Sequence, residues 1–282
     1  MIIKSNFQII NKSGFEIDID IYSKELDKTS HYLPLVIFAH GFKGFKDWGG
    51  FPYMMEKIAD TGYLAASFNF SLNGVEKSNP MEFTRLDLFA QNTYSQELED
   101  IGCVIDYFYN NADKYNVDRK KIALIGHSRG GGISIIKASE DNRIKCLITL
   151  ASMSKFYWHS EAYKKKWREK GFDEMLNTRT NQMMRRNSSF LDDLEENKDR
   201  LNIFNSVKKL NIPYIIIQGS EDLSVKFSEA EEIYNNSNKN LTEFFLVPNT
   251  GHTFGIVHPF EGTTKVFEMV IGKTLTFLNN NL

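Results

Sequence analysis

The chain has 282 residues, of which 41% are hydrophobic and 25% are charged, and its formal net charge is -2. This length and composition predict a soluble globular protein with a large core. A net charge so close to zero favours neither nucleic acid nor an anionic membrane surface as a partner. The two cysteines, Cys103 and Cys146, are too few for a disulfide framework and lack the paired spacing of a zinc site.

No segment of the sequence approaches the roughly 18 consecutive apolar residues of a membrane span. The N-terminal residues also lack the apolar core of a signal peptide. We therefore expect a cytoplasmic protein that binds neither a membrane nor nucleic acid.

The first structural signal is a strict alternation of apolar and polar residues at 15–22, which predicts a half-buried strand in an antiparallel edge region. Beyond it, continuous apolar runs alternate with helical patterns at short spacing. The runs predict buried strands at 33–41, 63–70, 121–126, 144–152, 212–219 and 242–249. The helical patterns lie at 52–62, 94–112, 131–140, 225–236 and 263–278. This alternation predicts the α/β class, with βαβ units in an open, doubly wound parallel sheet.

Residues 153–205 interrupt this alternation with polar, aromatic and basic residues and no buried strand. An insertion of this size predicts a cap over one end of the sheet, within a single domain at 1–282. Phe156, Tyr157 and Trp158 at its start would either wall a pocket for an aromatic acyl group or pack the cap onto the sheet. The basic run at 164–170 predicts a solvated helix face, with recognition of an anionic substrate as the alternative.

The segment ALIGHSRGGGIS, at 123–134, places one serine between a predicted strand and a predicted helix. Its core is Gly126-His127-Ser128-Arg129-Gly130, the Gly-x-Ser-x-Gly pattern of a nucleophile elbow. The turn is so tight that Ser128 must adopt a strained backbone, and a Cβ on either flanking glycine would collide with a neighbouring element. The serine hydroxyl would then stand at the carboxyl end of the sheet, where ligands bind in open α/β folds. A Gly-Ser turn without chemistry is the alternative.

A serine nucleophile requires a base and a third group that orients the base. Asp222 follows the predicted strand 212–219, and His252 follows the predicted strand 242–249. The order Ser, Asp, His after successive strands therefore predicts a catalytic triad. Glu221 remains the alternative acid, and His258 remains the alternative base.

The oxyanion that forms during acyl transfer needs two backbone donors. The N–H of Arg129, directly after the nucleophile, is one candidate. The second is expected in the loop after the first buried parallel strand, where Gly41 lets the chain turn and Phe42 offers its N–H.

Four segments, HGFKGFKDW, GHSRGG, GSEDLSV and TGHTF, resemble the α/β-hydrolase superfamily. They are most similar to the serine esterases related to feruloyl (cinnamoyl) esterases and to prolyl-oligopeptidase-type catalytic domains. The resemblance implies an eight-stranded, mainly parallel sheet, with Ser128, Asp222 and His252 as the triad and Phe42 and Arg129 as oxyanion donors. Arg129 departs from the glutamine that esterases of this group often carry.

The sequence thus predicts a serine hydrolase of small-molecule carboxylic esters, with aromatic-acyl (feruloyl-type) esters as the suggested substrates. The predicted chemistry uses no metal and no organic cofactor. Two alternatives remain open at this point. One is a serine peptidase of the prolyl-oligopeptidase type, and the other is a non-catalytic binding module on the same fold.

Overall fold

The computed structural model describes residues 1–24, 32–157 and 159–282 of the chain. Trp158, one of the aromatic residues predicted at the start of the insertion, lies outside the described residues. The strands are β1 Ile2–Ile10, β2 Glu16–Lys24, β3 Leu33–Ala39, β4 Leu64–Phe68, β5 Val75–Glu76, β6 Asn79–Phe83, β7 Val117–His127, β8 Ile144–Leu150, β9 Phe172–Asn177, β10 Gln182–Asn187, β11 Tyr214–Gly219 and β12 Thr242–Val247. The helices are α1 Phe51–Asp60, α2 Leu86–Gln91, α3 Tyr94–Asn110, α4 Ala112–Tyr115, α5 Arg129–Glu140, α6 Glu161–Lys170, α7 Ser189–Glu196, α8 Ile203–Val207, α9 Phe227–Asn236 and α10 Lys265–Asn281.

The central sheet has eight strands in the order β1-β2-β4-β3-β7-β8-β11-β12. β1 pairs with β2, and β2 with β4, in antiparallel fashion. The remaining neighbours pair in parallel. The predicted α/β class and the mainly parallel eight-stranded sheet are therefore confirmed. The order also brings the carboxyl ends of β7, β11 and β12 to one edge of the sheet.

Helices cover both faces of this sheet, and each face has its own apolar core. α1 and α10 pack on one face, where residues such as Met54, Ile125 and Val270 are fully buried. α3, α5, α8 and α9 pack on the other face, over residues such as Leu124 and Ile216. Because both faces are covered, the parallel strands are apolar without alternation. Within the described residues, no helix is long and apolar enough to cross a membrane.

Strand β2 differs from the half-buried strand predicted for it, because its polar face is buried too. Asp18 is 6% exposed and Asp20 is 1% exposed. The ammonium of Lys46, from the loop after β3, lies 2.8 Å from Asp20 and 3.3 Å from Asp18. Asn6 of β1 donates to both carboxylates at 2.8 Å. The Lys46 ammonium and the Asn6 amide thus provide the hydrogen bonds that water would provide to the two carboxylates on an exposed face.

The chain between β8 and β11 contains α6, the hairpin β9–β10, α7 and α8. The hairpin pairs only with itself and joins no other strand of the described chain. This hairpin differs from the expectation that residues 153–205 contain no strand, because its strands carry charged residues in place of an apolar run. The basic run predicted at 164–170 lies in α6, whose charged side chains are mostly exposed.

Candidate active site

Ser128 stands at the turn between β7 and α5, in a backbone conformation that L-residues rarely adopt. Its φ is 56° and its ψ is -117°. The turn is held from the neighbouring strand, because Ser128 N–H donates to the carbonyl oxygen of Leu150 at 2.9 Å and the Met153 N–H donates to the Ser128 carbonyl oxygen at 3.2 Å. Strain of this kind persists only where surrounding contacts enforce it, and it is common at functional sites.

The glycines around Ser128 are required by close backbone approach, as predicted. A Cβ on Gly126 would lie 2.4 Å from the carbonyl oxygen of Gly130. A Cβ on Gly130 would lie 2.4 Å from the carbonyl oxygens of Ala39 and His40. These contacts involve rigid backbone, so no side chain can move aside to admit a methyl group. The predicted collisions are therefore confirmed.

Asp222 is buried just beyond the end of β11, and four donors surround its carboxylate. Its Oδ1 accepts the backbone N–H groups of Ser224 at 2.8 Å and Val225 at 2.9 Å. Its Oδ2 accepts from Nε2 of Gln218 at 3.2 Å and from Nδ1 of His252 at 2.8 Å. Burial alone would raise the pKa of Asp222, but these hydrogen bonds and the nearby imidazole hold its pKa below the ordinary value. The carboxylate is therefore kept ionised.

His252, beyond the end of β12, is oriented by that carboxylate. Because a carboxylate only accepts, Nδ1 of His252 carries the proton in this contact, and Nε2 of the neutral ring is left as a base. The side chain is 22% exposed. Ser128 and His252 line the same cavity.

The two alternative residues lie elsewhere. Glu221 is exposed, and its backbone N–H donates to the carbonyl oxygen of Thr250. Nδ1 of His258 accepts the backbone N–H of Gly49 at 3.0 Å, and its ring stacks on Trp48. Neither side chain lines the cavity at Ser128.

His127 packs beneath the site against Phe51 and His252. Its Nε2–H donates to the carbonyl oxygen of His252 at 3.0 Å, since a carbonyl can only accept. Burial and the adjacent His252 lower the pKa of His127 to about 3. The ring is therefore neutral, and it fixes the backbone that carries His252.

The loop after β3 approaches Ser128 closely enough to supply an oxyanion donor. A Cβ on Gly41 would lie 2.9 Å from Cβ of Ser128. The loop is closed by a hydrogen bond from the Gly44 N–H to the Gly41 carbonyl oxygen at 3.1 Å. Phe42 lines the cavity beside Ser128, and Arg129 begins α5, where a helix leaves its first N–H groups without partners inside the helix.

The side chain of Arg129 is buried away from the reacting hydroxyl. Its guanidinium carbon lies 3.9 Å from the ring centroid of Phe42 and 4.8 Å from that of Tyr94. Nη1 pairs with Oε1 of Glu97 at 3.2 Å, and both residues are less than 5% exposed. Burial raises the pKa of Glu97 even beside this cation. The guanidinium of Arg129 thus supports the ring of Phe42, which lines the cavity.

The cavity at Ser128 has a volume of about 260 Å³, and Phe42, Trp48 and Phe51 form much of its apolar wall. A larger cavity of about 710 Å³ lies near the antiparallel edge of the sheet and contains neither Ser128 nor His252. The smaller cavity is the relevant one because it holds the predicted nucleophile and base together.

The aromatic residues predicted to wall this cavity occupy a different place. Phe156 is fully buried and stacks on Tyr94 with ring centroids 3.9 Å apart. The Tyr157 hydroxyl donates to the carbonyl oxygen of Leu194 at 2.6 Å. Neither residue lines the cavity. Phe156 packs on α3 and Tyr157 is bound to α7 within the inserted segment, so the pocket-wall prediction is corrected for both. Trp158 lies outside the described residues.

Several residues of the site were not predicted from the sequence, among them Gln218, Asn177 and Arg179. Gln218 is fully buried at the end of β11 and donates to Asp222. Asn177 and Arg179, at the tip of the β9–β10 hairpin, line the cavity. A polar residue at the end of an apolar strand was a usable signal for Gln218, whereas nothing in the sequence marked the hairpin tip.

Comparisons with known proteins agree with this architecture. A sequence model of the BD-FAE family matches residues 19–236. Est1E from Butyrivibrio proteoclasticus, in a structure with ferulic acid bound, is similar with a TM-score of 0.72 and 18% identity, over 98% of each chain. Acetyl xylan esterase from Paenibacillus sp. R4 has a TM-score of 0.67 and 17% identity, over 100% of this chain and 84% of that one. At these identities the two structures establish a common fold.

Among curated sequences, the chain is 26% identical to YcjY of Escherichia coli (strain K12) over 152 residues. That match covers 54% of this chain and 45% of the relative. The chain therefore matches less than half the length of the curated relatives.

Proposed function

The chain belongs to the BD-FAE family, in an esterase branch of the α/β-hydrolase superfamily, and from this premise we propose that it is a serine hydrolase of carboxylic esters that works through an acyl-enzyme on Ser128. One observation carries the proposal. A serine on a strained strand-to-helix turn shares a cavity with His252, whose Nδ1 is held by the buried carboxylate of Asp222 at 2.8 Å. This combination of nucleophile, base and orienting acid is what acyl transfer to serine requires.

In the first half of the proposed reaction, Nε2 of His252 takes the proton of the Ser128 hydroxyl. Oγ attacks the ester carbonyl carbon, and the carbonyl electron pair moves to oxygen. The backbone N–H groups of Phe42 and Arg129 donate to this oxyanion. When the intermediate collapses, the bond to the alcohol oxygen breaks and His252 returns the proton to that oxygen, so that the alcohol leaves and the acyl group remains on Ser128.

In the second half, water replaces the alcohol. His252 takes a proton from the water, whose oxygen attacks the acyl carbon, and the proton is then delivered to Oγ of Ser128. The carboxylic acid leaves and the enzyme is restored. Asp222 stays ionised throughout and stabilises the imidazolium that forms in each half.

The cavity supports a small ester with an aromatic or apolar part. Its volume of about 260 Å³ lies below the roughly 300–1,000 Å³ of pockets for drug-sized ligands. Phe42, Trp48 and Phe51 line the cavity and provide the apolar surface against which an aromatic acyl group would pack. These three rings take over the role first predicted for the aromatic residues of the insertion.

The proposal is tested with kcat/KM for methyl ferulate and for a matched peptidyl anilide, in the wild type, in Ser128→Ala and in Ser139→Ala. Ser139 lies on the same helix α5, and its Oγ donates to the Ile136 carbonyl oxygen, so it serves as the matched control. We expect ester turnover in the wild type and in Ser139→Ala, and none above background in Ser128→Ala. Preferential cleavage of the anilide would make the protein a peptidase. Wild-type turnover by Ser128→Ala would overturn the assignment of the nucleophile.

We also propose a cytoplasmic location. Cys103 and Cys146 are both free thiols, as expected in a reducing compartment. Fractionation of the source cells, followed by immunodetection, tests this: recovery outside the cytoplasmic fraction contradicts it.

A further inference from the structure

The cavity at Ser128 carries two cations without an acidic partner. Arg179 and Lys43 both line it. Within the described part of the chain, neither forms an ion pair with a carboxylate, whereas the arginines next to Arg179 along the hairpin do: Arg185 pairs with Glu174, and Arg186 with Asp173. Of these three hairpin arginines, the one without an acidic partner in the described chain is therefore Arg179, which lines the cavity.

The guanidinium of Arg179 is held on the loop that carries Lys43. Nη2 of Arg179 donates to the carbonyl oxygen of Lys43 at 2.9 Å. The guanidinium carbon lies 5.7 Å from the ring centroid of Trp48 and 5.9 Å from that of Phe45. One N–H of the guanidinium is used in the contact with Lys43, and four remain. Partial burial and the neighbouring arginines lower the pKa of Lys43, which is the signature of a cation that lacks a counter-charge.

A third donor lies beside them. Asn177 also lines the cavity and is only 4% exposed. Its Nδ2 has no hydrogen-bond partner among the residues that the structure describes. A buried amide donor without a partner costs free energy, and an acceptor oxygen of a ligand in this cavity would offset that cost.

From these contacts we propose that the ester substrate carries a carboxylate, which Arg179 binds with help from Lys43 and Asn177 while Ser128 attacks the ester group. This inference rests on the proposed function and adds its substrate class. A planar carboxylate matches the fork of a guanidinium, and the aromatic wall accommodates the part of the molecule between carboxylate and ester. The exposed basic run of α6 takes no part, because it does not line the cavity.

The test compares esters that differ only in charge. For the acyl side the pair is methyl 4-carboxycinnamate and methyl 4-carbamoylcinnamate, and for the alcohol side it is 4-carboxyphenyl acetate and 4-carbamoylphenyl acetate, each corrected for its rate of alkaline hydrolysis. The quantity measured is the ratio of kcat/KM for the charged ester to that for the neutral ester. Comparing the acyl-side pair with the alcohol-side pair shows on which side of the ester the carboxylate lies.

We expect the wild-type ratio to exceed about tenfold in one of the two ester pairs and to fall at least about tenfold in Arg179→Gln. In Arg179→Lys the ratio should fall less, because lysine keeps the charge but lacks the guanidinium fork. Arg185→Gln removes the same charge from the same hairpin outside the cavity and is expected to leave the ratio unchanged. Added salt should lower the wild-type ratio. A ratio near one for both ester pairs, or a ratio that Arg179→Gln does not change, would overturn the inference. If Arg179 only tethers the hairpin to the loop, its loss slows both esters equally.

The design separates this inference from the proposed function. If the neutral esters are hydrolysed with dependence on Ser128 but show no charge preference, the hydrolase stands and the carboxylate site does not. If no ester of either pair is hydrolysed, the site is tested by calorimetry, as the binding of methyl 4-carboxycinnamate and of 4-carboxyphenyl acetate to Ser128→Ala and to the Ser128→Ala/Arg179→Gln double variant. Binding of either ester that is at least about tenfold weaker in the double variant supports the site, and equal or absent binding of both overturns it.

Discussion

Asp222 accepts the Nδ1–H of His252 at 2.8 Å, whereas the carboxylate next to it in sequence, that of Glu221, is exposed. The first prediction follows from this pairing. Asp222→Asn places an amide where the carboxylate fixed the imidazole tautomer, so we expect kcat for methyl ferulate to fall by about four orders of magnitude. Glu221→Gln is the matched control and should retain wild-type kcat. A damaging Glu221→Gln together with an active Asp222→Asn would reassign the acid.

The second prediction concerns the loop that carries Phe42. A methyl group at Gly41 would lie 2.9 Å from Cβ of Ser128 and 3.2 Å from the His127 carbonyl oxygen, so the loop must move away from the nucleophile. Gly41→Ala should therefore lower kcat by about 100- to 1,000-fold, the usual cost of one lost oxyanion donor. The control is Gly272→Ala in α10, where an added methyl group meets nothing within 4 Å. Equal kcat in the two variants would remove this loop from the oxyanion site.

The third prediction concerns the buried pair of Arg129 and Glu97. Arg129→Met leaves the Glu97 carboxylate buried without its cation, which should lower the free energy of unfolding by about 3–5 kcal/mol. In the double variant Arg129→Met/Glu97→Gln the unpaired negative charge is removed, and the glutamine oxygen still accepts from the Asn92 side chain. The double variant should therefore be more stable than Arg129→Met alone. Urea unfolding of the wild type, Arg129→Met, Glu97→Gln and the double variant measures the coupling free energy between the two charges. Strictly additive effects would mean that the two charges do not depend on each other.

The positions of the site residues along the chain were predictable because they follow from the topology. In a parallel sheet the carboxyl ends of neighbouring strands meet at one edge, so polar residues just after β7, β11 and β12 had to come together. The tight turn at Ser128 was predictable as well, since only glycine tolerates the close backbone contacts at Gly126 and Gly130.

The parts that depend on contacts between distant segments were not predictable in the same way. The polar face of β2 is buried because Lys46, from another loop, reaches Asp20, and no local pattern reports such a contact. The hairpin that brings Arg179 to the cavity has charged strands and pairs with no other strand that the structure describes, so its sequence resembles that of a solvated segment. Phe156 is a residue type that often lines pockets, but its position is set by stacking on Tyr94 of α3.

The fourth prediction is a loss of stability in acid that depends on His127. Burial and the adjacent His252 lower its pKa in the folded protein to about 3, while an unfolded histidine titrates near 6.5. Below about pH 6.5 the unfolded chain therefore binds a proton that the native state does not, so the free energy of unfolding falls as the pH drops towards 3, by up to about 1.4 kcal/mol per pH unit. His127→Gln cannot bind that proton. Urea unfolding from pH 7 to 4.5 should accordingly show a shallower pH slope in the variant, whatever its stability at pH 7. Identical slopes would mean that His127 is not held neutral by the fold.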